Sequence, residues 1–403
     1  MNSQLSRAAH RVRALLALAL ACAVTLGVAA CGDSSSSSSG SDGGSASTSS
    51  STSGGDSGAA PASASAEELE ARAGKVDGTE WCGDRPITLG IHDGFGVNAW
   101  SKASYATVRS EAARCPNVRQ VVAAGGADLQ KSISDVNGMV AQGIDALAII
   151  PDFGAAQVPS LKAATQAGVR VIAWGADPSG QRGTDYDDYV DWDTKANGAA
   201  WARWMAETLR GRGNVVFLGG PAGTPVSIDE LKGVVETFKQ YPDIRLLTGD
   251  KDYPATNWDP AQAQRTMAAL LAQYPDIDGA IIDYGDATQG ALRAFQQANR
   301  RIVPIATTES HAVACEWDRL KGSNPDFELA TISSRNWLGR IAARKAIAAA
   351  EGIPLDEPSI FALGLTEDST GDNKPRCDPR FPADTYFSND LSEDDLAKYG
   401  KTN

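Results

Sequence analysis

Three aspartates, Asp93, Asp152 and Asp286, each stand just past an apolar run, and two tryptophans, Trp100 and Trp258, stand in polar surroundings beside Asn98 and between Asn257 and Asp259. A carboxylate at a strand end either caps the next helix or faces a ligand. A tryptophan in an exit loop beside Asn and Asp is placed to stack on a ligand rather than to fill a core. Acceptors and flat apolar rings together make a binding surface. Catalysis has little support. The chain has three histidines, of which His92 and His311 lie beyond the leader, and no serine stands in a G-x-S-x-G elbow. Glycoside hydrolysis needs two positioned carboxylates, and spacing singles out no such pair.

Other motifs are weaker. The loop Gly219-Gly220-Pro221-Ala222-Gly223-Thr224 lacks both the phosphate-binding and the dinucleotide-binding glycine patterns. It reads as close backbone approach in a cleft. The acidic stretch 185–193 does not fit a calcium loop and reads as a solvated hinge face. No C-x-x-C is present, which argues against zinc and thioredoxin-like chemistry, so neither a metal nor a cofactor is expected.

The elements that position these residues follow one rhythm. In 139–152 a helix end, a turn at Gly143, the apolar run Ala146-Leu147-Ala148-Ile149-Ile150 and a stop at Pro151 come in succession. A run apolar at every position fits a parallel strand covered by helices on both faces. Strands are expected at 87–93, 118–123, 146–150, 169–174, 215–218, 244–247, 279–283, 302–306 and 329–333. Helices are expected between them, with a last one at 338–351. Strands alternating with helices mean βαβ units, whose ligands bind at the carboxyl ends of the strands. The acidic stretch breaks the rhythm, and the crossing into a second lobe is expected there.

The chain has 403 residues and a formal net charge of −13, which argues against nucleic acid as a partner. Arg7, Arg11 and Arg13 precede the apolar run 14–30, which closes as Val28-Ala29-Ala30-Cys31. This reads as a signal peptide over 1–30, and the small residues before Cys31 resemble the bacterial lipobox, in which that cysteine is lipidated. Residues 31–66 read as the lipidated cysteine and a Ser/Gly-rich tether. The remaining stretch of about 330 residues exceeds one core. Four cysteines remain, Cys82, Cys115, Cys315 and Cys377, and an exported chain favours disulfides. Three pairings are possible. Cys82 and Cys115 each precede a strand, and if those strands are neighbours both stand at one sheet edge, so Cys82–Cys115 with Cys315–Cys377 is favoured.

Four stretches together carry a resemblance. They are Gln142-Gly143-Ile144-Asp145 running into Ile150-Pro151, the glycine-rich loop at 219–224, Gly290-Ala291-Leu292-Arg293-Ala294-Phe295-Gln296, and Leu329-Ala330-Thr331-Ile332. The chain resembles the periplasmic sugar-binding proteins of ABC importers, of the ribose-binding type. The resemblance implies an α/β fold of two Rossmann-like lobes, with parallel sheets joined by hinge strands (type I periplasmic binding protein). The lobes are expected over 67–191 with about 335–355, and over 192–334 with about 356–366, leaving a tail at 367–403. It implies a small sugar in the interlobe cleft, delivered to permease subunits by a monomer held at the membrane through its lipid anchor only. Trp100 and Trp258 fall where the family places stacking rings. Tyr284 and Asp286 fall near a polar position, Glu309 or Thr308 near a carboxylate, and Ser334, Arg335 or Asn336 at the last hinge. Trp174 is expected as a third ring. Two departures, no arginine after Thr224 and Gly175-Ala176-Asp177 after Trp174, argue against ribose itself. A sensory receptor, an amino acid, nucleoside or signalling ligand, and a cell-wall glycan hydrolase remain as alternatives.

Overall fold

The computed structural model describes residues 74–361 and 363–401. The leader, Cys31 and the tether lie outside the described residues, and the described part falls in the compact unit that begins at Gly58. Two six-stranded sheets make up this part.

The first sheet contains β1 (Ile87–Asp93), β2 (Val118–Ala124), β3 (Ala146–Ile150), β4 (Arg170–Trp174), β5 (Asp188–Trp192) and β11 (Ile360–Phe361), in the order β11-β5-β4-β3-β1-β2. All its pairings are parallel. Its helices are α1 (Ala99–Ala112), α2 (Leu129–Ala141), α3 (Val158–Gln166) and, from late in the chain, α9 (Leu338–Glu351). β3 is buried at every position, as its unbroken apolar run requires. One face packs with α1 and α9, where Leu338, Ile341, Ala342, Ala346 and Ile347 join Leu89, Ile91, Ala148 and Trp174. The other packs with α2 and α3.

The second sheet runs β12-β10-β9-β8-β6-β7. Its strands are β6 (Arg212–Leu218), β7 (Asp243–Leu246), β8 (Gly279–Ile282), β9 (Ile305–Thr308), β10 (Leu329–Ile332) and β12 (Leu365–Asp368). All pair in parallel except β12, which joins β10 antiparallel. The helices are α4 (Thr194–Thr208), α5 (Pro225–Phe238), α6 (Pro260–Gln273), α7 (Gly285–Gln297) and α8 (His311–Leu320). α6 starts as its sequence dictates, with Asp259 Oδ1 accepting from Gln262 N at 2.6 Å and Pro260 in the first turn. A final helix, α10 (Glu393–Tyr399), lies against α1.

The chain passes between the sheets three times, after β5, after β10 and between β11 and β12. Two expectations are corrected here. The acidic stretch 185–193 is not a solvated face, because β5 lies inside it. Asp191 is 0% exposed, while Asp187 pairs with Arg170 at 3.0 Å and Asp188 with Lys345 at 3.0 Å. Residues Ile360–Phe361 pair with β5 in the first sheet, so the last crossing falls after them and not near 356. Cys82–Cys115 and Cys315–Cys377 are disulfide-bonded. The first pair stands at one edge because Ile87 and Val118 are register partners in adjacent strands. No described helix is long and apolar enough to cross a membrane.

Candidate functional site

A cleft lies between the carboxyl ends of the two sheets, where open α/β folds bind small ligands. From the first lobe it is lined by Asp93, Phe95, Asn98, Trp100, Ser101, Asp152 and Gly175. From the second come Val226, Trp258, Asp283 and Tyr284, and the crossing after β10 supplies Arg335.

Asp93 ends β1 and caps no helix. Its Oδ1 accepts from the amides of Phe95 (2.9 Å) and Gly96 (2.8 Å). The Ser101 hydroxyl beside it opposes the larger effect of burial on its pKa. Asp152 reaches the same turn, its Oδ2 accepting from Phe95 N at 2.8 Å. Burial raises the pKa of both acids. Asp152 is raised by desolvation and then by the charge of Asp93, since two buried carboxylates resist ionising together. Asn98 caps α1 by accepting from Ser101 N at 2.9 Å.

Trp100 touches both cores. Its Nε1 donates to the Ser334 carbonyl at 2.6 Å. Trp174 stacks behind it, with ring centroids 6.1 Å apart. Trp174 is buried to 2% exposure and lies outside the cavity wall, so it supports Trp100 and is not the expected third ring.

Trp258 is held in a backbone conformation that tryptophan rarely takes, with φ +50° after Asn257 at +52°. Its Nε1 donates to Asp283 Oδ2 at 3.1 Å, and Phe95 meets it edge-on with centroids 5.3 Å apart. A Cβ on Gly220 would lie 2.2 Å from the indole. The glycine-rich loop thus serves close approach of a ring to backbone.

Asp283, one residue past β8, is not among the residues expected from sequence. Its Oδ2 also accepts from Gly220 N (2.7 Å) and Ser227 Oγ (2.5 Å). Its Oδ1 is unpartnered among the described residues. Burial raises its pKa from 3.8 to about 6 against the opposing pull of those hydrogen bonds. Asp283 repeats the signal that marks Asp93 and Asp152, a polar residue ending an apolar run. Phe95, Ser101, Gly175 and Val226 carry no such signal.

Arg335 sits at φ +70° with its guanidinium 3.7 Å over the Trp192 ring. Glu230 of α5 lies 3.7 Å away, Nη1 to Oε1. Nε and Nη1 of Arg335 and both oxygens of Glu230 lack hydrogen-bond partners among the described residues.

The structure does not bring every expected residue to the cavity. Asp286 accepts from Ser310 Oγ (2.6 Å), Tyr284 OH (3.0 Å) and Tyr386 OH (2.9 Å). Glu309 accepts from Ser388 N at 2.9 Å. Asn336 Nδ2 donates to Trp100 O and Ser104 Oγ, each at 2.8 Å. All three lie behind the wall. Among the described residues, His311, Cys315 and Cys377 are close enough together to suggest a metal site, but both sulfurs are tied up in the disulfide.

Residues 94–352 match the family described as the periplasmic binding protein domain. The chain belongs to that family. A xylitol-binding protein of Mycolicibacterium smegmatis is 30% identical over 216 residues, 52% of this chain and 60% of the relative. A galactofuranose-binding protein of Escherichia coli is 29% identical over 217 residues, 53% of this chain and 67% of that one. Among solved structures, the arabinose ABC transporter's periplasmic binding protein from Shewanella sp. ANA-3, bound to L-arabinofuranose, superposes with a TM-score of 0.60. That superposition covers 69% of this chain and 90% of that one at 18% identity, and so speaks to fold. The periplasmic binding protein match ends at residue 352, leaving the segment that carries Tyr386 and Ser388 outside it.

Proposed function

We propose that this chain is the extracytoplasmic solute-binding component of an ABC importer, and that it holds a small neutral sugar or polyol between its lobes. One observation carries the reading. Asp283 Oδ1 is buried and lacks a partner among the described residues, and Asp283 joins Asp93 and Ser101 in lining a cleft walled by Trp100 and Trp258. Buried acceptors left without donors are costly unless a ligand supplies them. A polyhydroxylated ligand offers hydroxyl donors to the carboxylates and C–H faces to the indoles. The ligands in the names of the relatives, xylitol and galactofuranose, are of the same class.

The mechanism is a population shift. Contacts from Asp93 and Trp100 on one lobe and Trp258 and Asp283 on the other favour the closed arrangement, whose joined surface docks on the permease. No bond is broken. Lipidation at Cys31 would keep the monomer at the outer face of the membrane. A thermal-shift screen against sugars, polyols, amino acids and nucleosides tests the reading. A ligand at 100 times its dissociation constant adds about 2.7 kcal/mol. The expected outcome is a rise with a sugar or polyol that Trp100→Ala and Trp258→Ala each abolish. A rise with amino acids alone would sink the reading.

A further inference from the structure

Residues 386–389, beyond the family match, are built into the seam of the cleft, with Tyr386 5% and Asn389 0% exposed. Tyr386 OH donates to Asp286 Oδ2 at 2.9 Å and lies 3.4 Å from the hydroxyl of Tyr284, a cavity-wall residue. Ser388 gives its amide to Glu309 Oε1 at 2.9 Å. Asn389 Nδ2 donates to Ser334 Oγ (2.9 Å) and to Asn336 Oδ1 (2.8 Å), while its Oδ1 accepts from Trp337 N at 3.1 Å. Ser334 and Asn336 in turn hold Trp100, through the Ser334 carbonyl and the Asn336 amide.

The segment is fixed on both sides. The Cys315–Cys377 disulfide ties the preceding chain to α8 of the second lobe. On the first lobe, Lys102 of α1 pairs with Asp384 at 2.7 Å, and Arg109 donates to the Tyr399 carbonyl at 3.0 Å.

We infer that residues 386–389 brace the wall of the ligand site from behind and thereby set the largest ligand it accepts. Asp286, Glu309 and Asn336 are the groups expected to meet ligand hydroxyls. Here a phenol, a main-chain amide and a carboxamide of the chain's own tail use them instead. A buried carboxylate already satisfied by fixed donors gains little from a ligand hydroxyl, and the space beside it is filled. The site is thereby restricted to a single sugar ring or a polyol of similar length, and disaccharides are shut out. The inference rests on the sugar or polyol reading above.

Two variants test it. The chain ended after Arg380 keeps β12 and Cys377 but loses the brace. The full-length Tyr386→Ala/Asn389→Ala variant removes the phenol and carboxamide contacts with α10 retained, and decides the matter if the shorter chain does not fold. Calorimetric titration with a monosaccharide, a linear polyol and a disaccharide should show that the wild-type protein takes only the small ligands. The variants should gain disaccharide binding by about tenfold or more relative to the monosaccharide. Hydrogen exchange gives a readout without ligand. The amides of Ser334 and Trp337, which the tail accepts from, should exchange faster in the shorter chain. An unchanged ligand order, or unchanged exchange, would overturn the brace. If no protein binds any sugar or polyol, the functional reading itself fails; faster exchange in that case leaves a structural strap only, which also overturns size selection.

Discussion

Asp283 shows what burial does to a single side chain in this protein. Its carboxyl is raised to about 6, so the folded state favours the proton more than the unfolded chain does. The associated stability is fully present below pH 3.8, the ordinary value, and is lost as pH rises through about 6. The loss amounts to roughly 3 kcal/mol. His92 acts in the opposite sense over nearly the same window. Burial lowers it from 6.5 to about 4, so its contribution is lost as pH falls. Urea titrations of wild type and Asp283→Asn between pH 4 and 7 should therefore differ in slope, the variant gaining stability more steeply as pH rises because His92 then acts unopposed. A ligand hydroxyl donated to Oδ1 favours the ionised form. Binding near pH 6 should release protons, visible as a buffer-dependent heat, and Asp283→Asn should abolish that dependence. Much of this wall is legible in the sequence, because Asp93, Asp152 and Trp258 stand where an apolar run ends or a polar loop begins. Asp283 stands in the same position but reads as the end of its strand. Arg335 and Glu230 meet only through the packing of α5 against a crossing segment, and neither carries a local signal. Asp286 and Glu309, which the resemblance assigns to the ligand, are engaged instead by a tail distant in sequence.

The elements follow from local pattern wherever the pattern is strong. Apolar runs give β3 and β8, and α9 falls on the expected residues. β5 is missed because its acidic residues obscure a buried strand, which ion pairs with Arg170 and Lys345 make tolerable. The antiparallel β12 has no signal beyond its place after the last crossing. Helix pairing follows another rule, the placement of glycine. α4 and α5 approach so closely that a Cβ on Gly198 would lie 1.9 Å from the Glu230 carbonyl. One on Gly233 would lie 2.0 Å from the Lys195 carbonyl. Both obstacles are backbone, so the helices themselves must separate. Gly233→Ala is expected to destabilise the protein by about 1–3 kcal/mol, despite its better helix propensity. Chemical denaturation would measure this, and an unchanged or raised midpoint would show that the crossing is looser than the geometry indicates. Because Glu230 lies on α5 opposite Arg335, the same variant should also weaken ligand binding.

For the molecule as a whole, connectivity separates the two lobes in time. Apart from the edge strand β12, the second lobe's elements run without interruption from α4 to β10. The first lobe is completed only when α9 and β11 arrive, after that whole second lobe has been made. α9 is no ornament to the first core, since Leu338, Ile341, Ala343, Ala346 and Ile347 are buried in it. A chain that emerges from its amino end presents the first four strands with one sheet face covered by α1 alone. The second lobe can close its own core while that face still waits. The expected order of folding is therefore the second lobe first, with the first lobe trapped as an open sheet, exposed to holdase chaperones, until α9 emerges. Pulse-labelled hydrogen exchange during refolding should protect the amides of β6, β8 and β9 ahead of those of β3 and β4. Simultaneous protection would show that connectivity does not govern the pathway. The interleaving that makes a hinge in the finished receptor is thus a scheduling problem during its secretion.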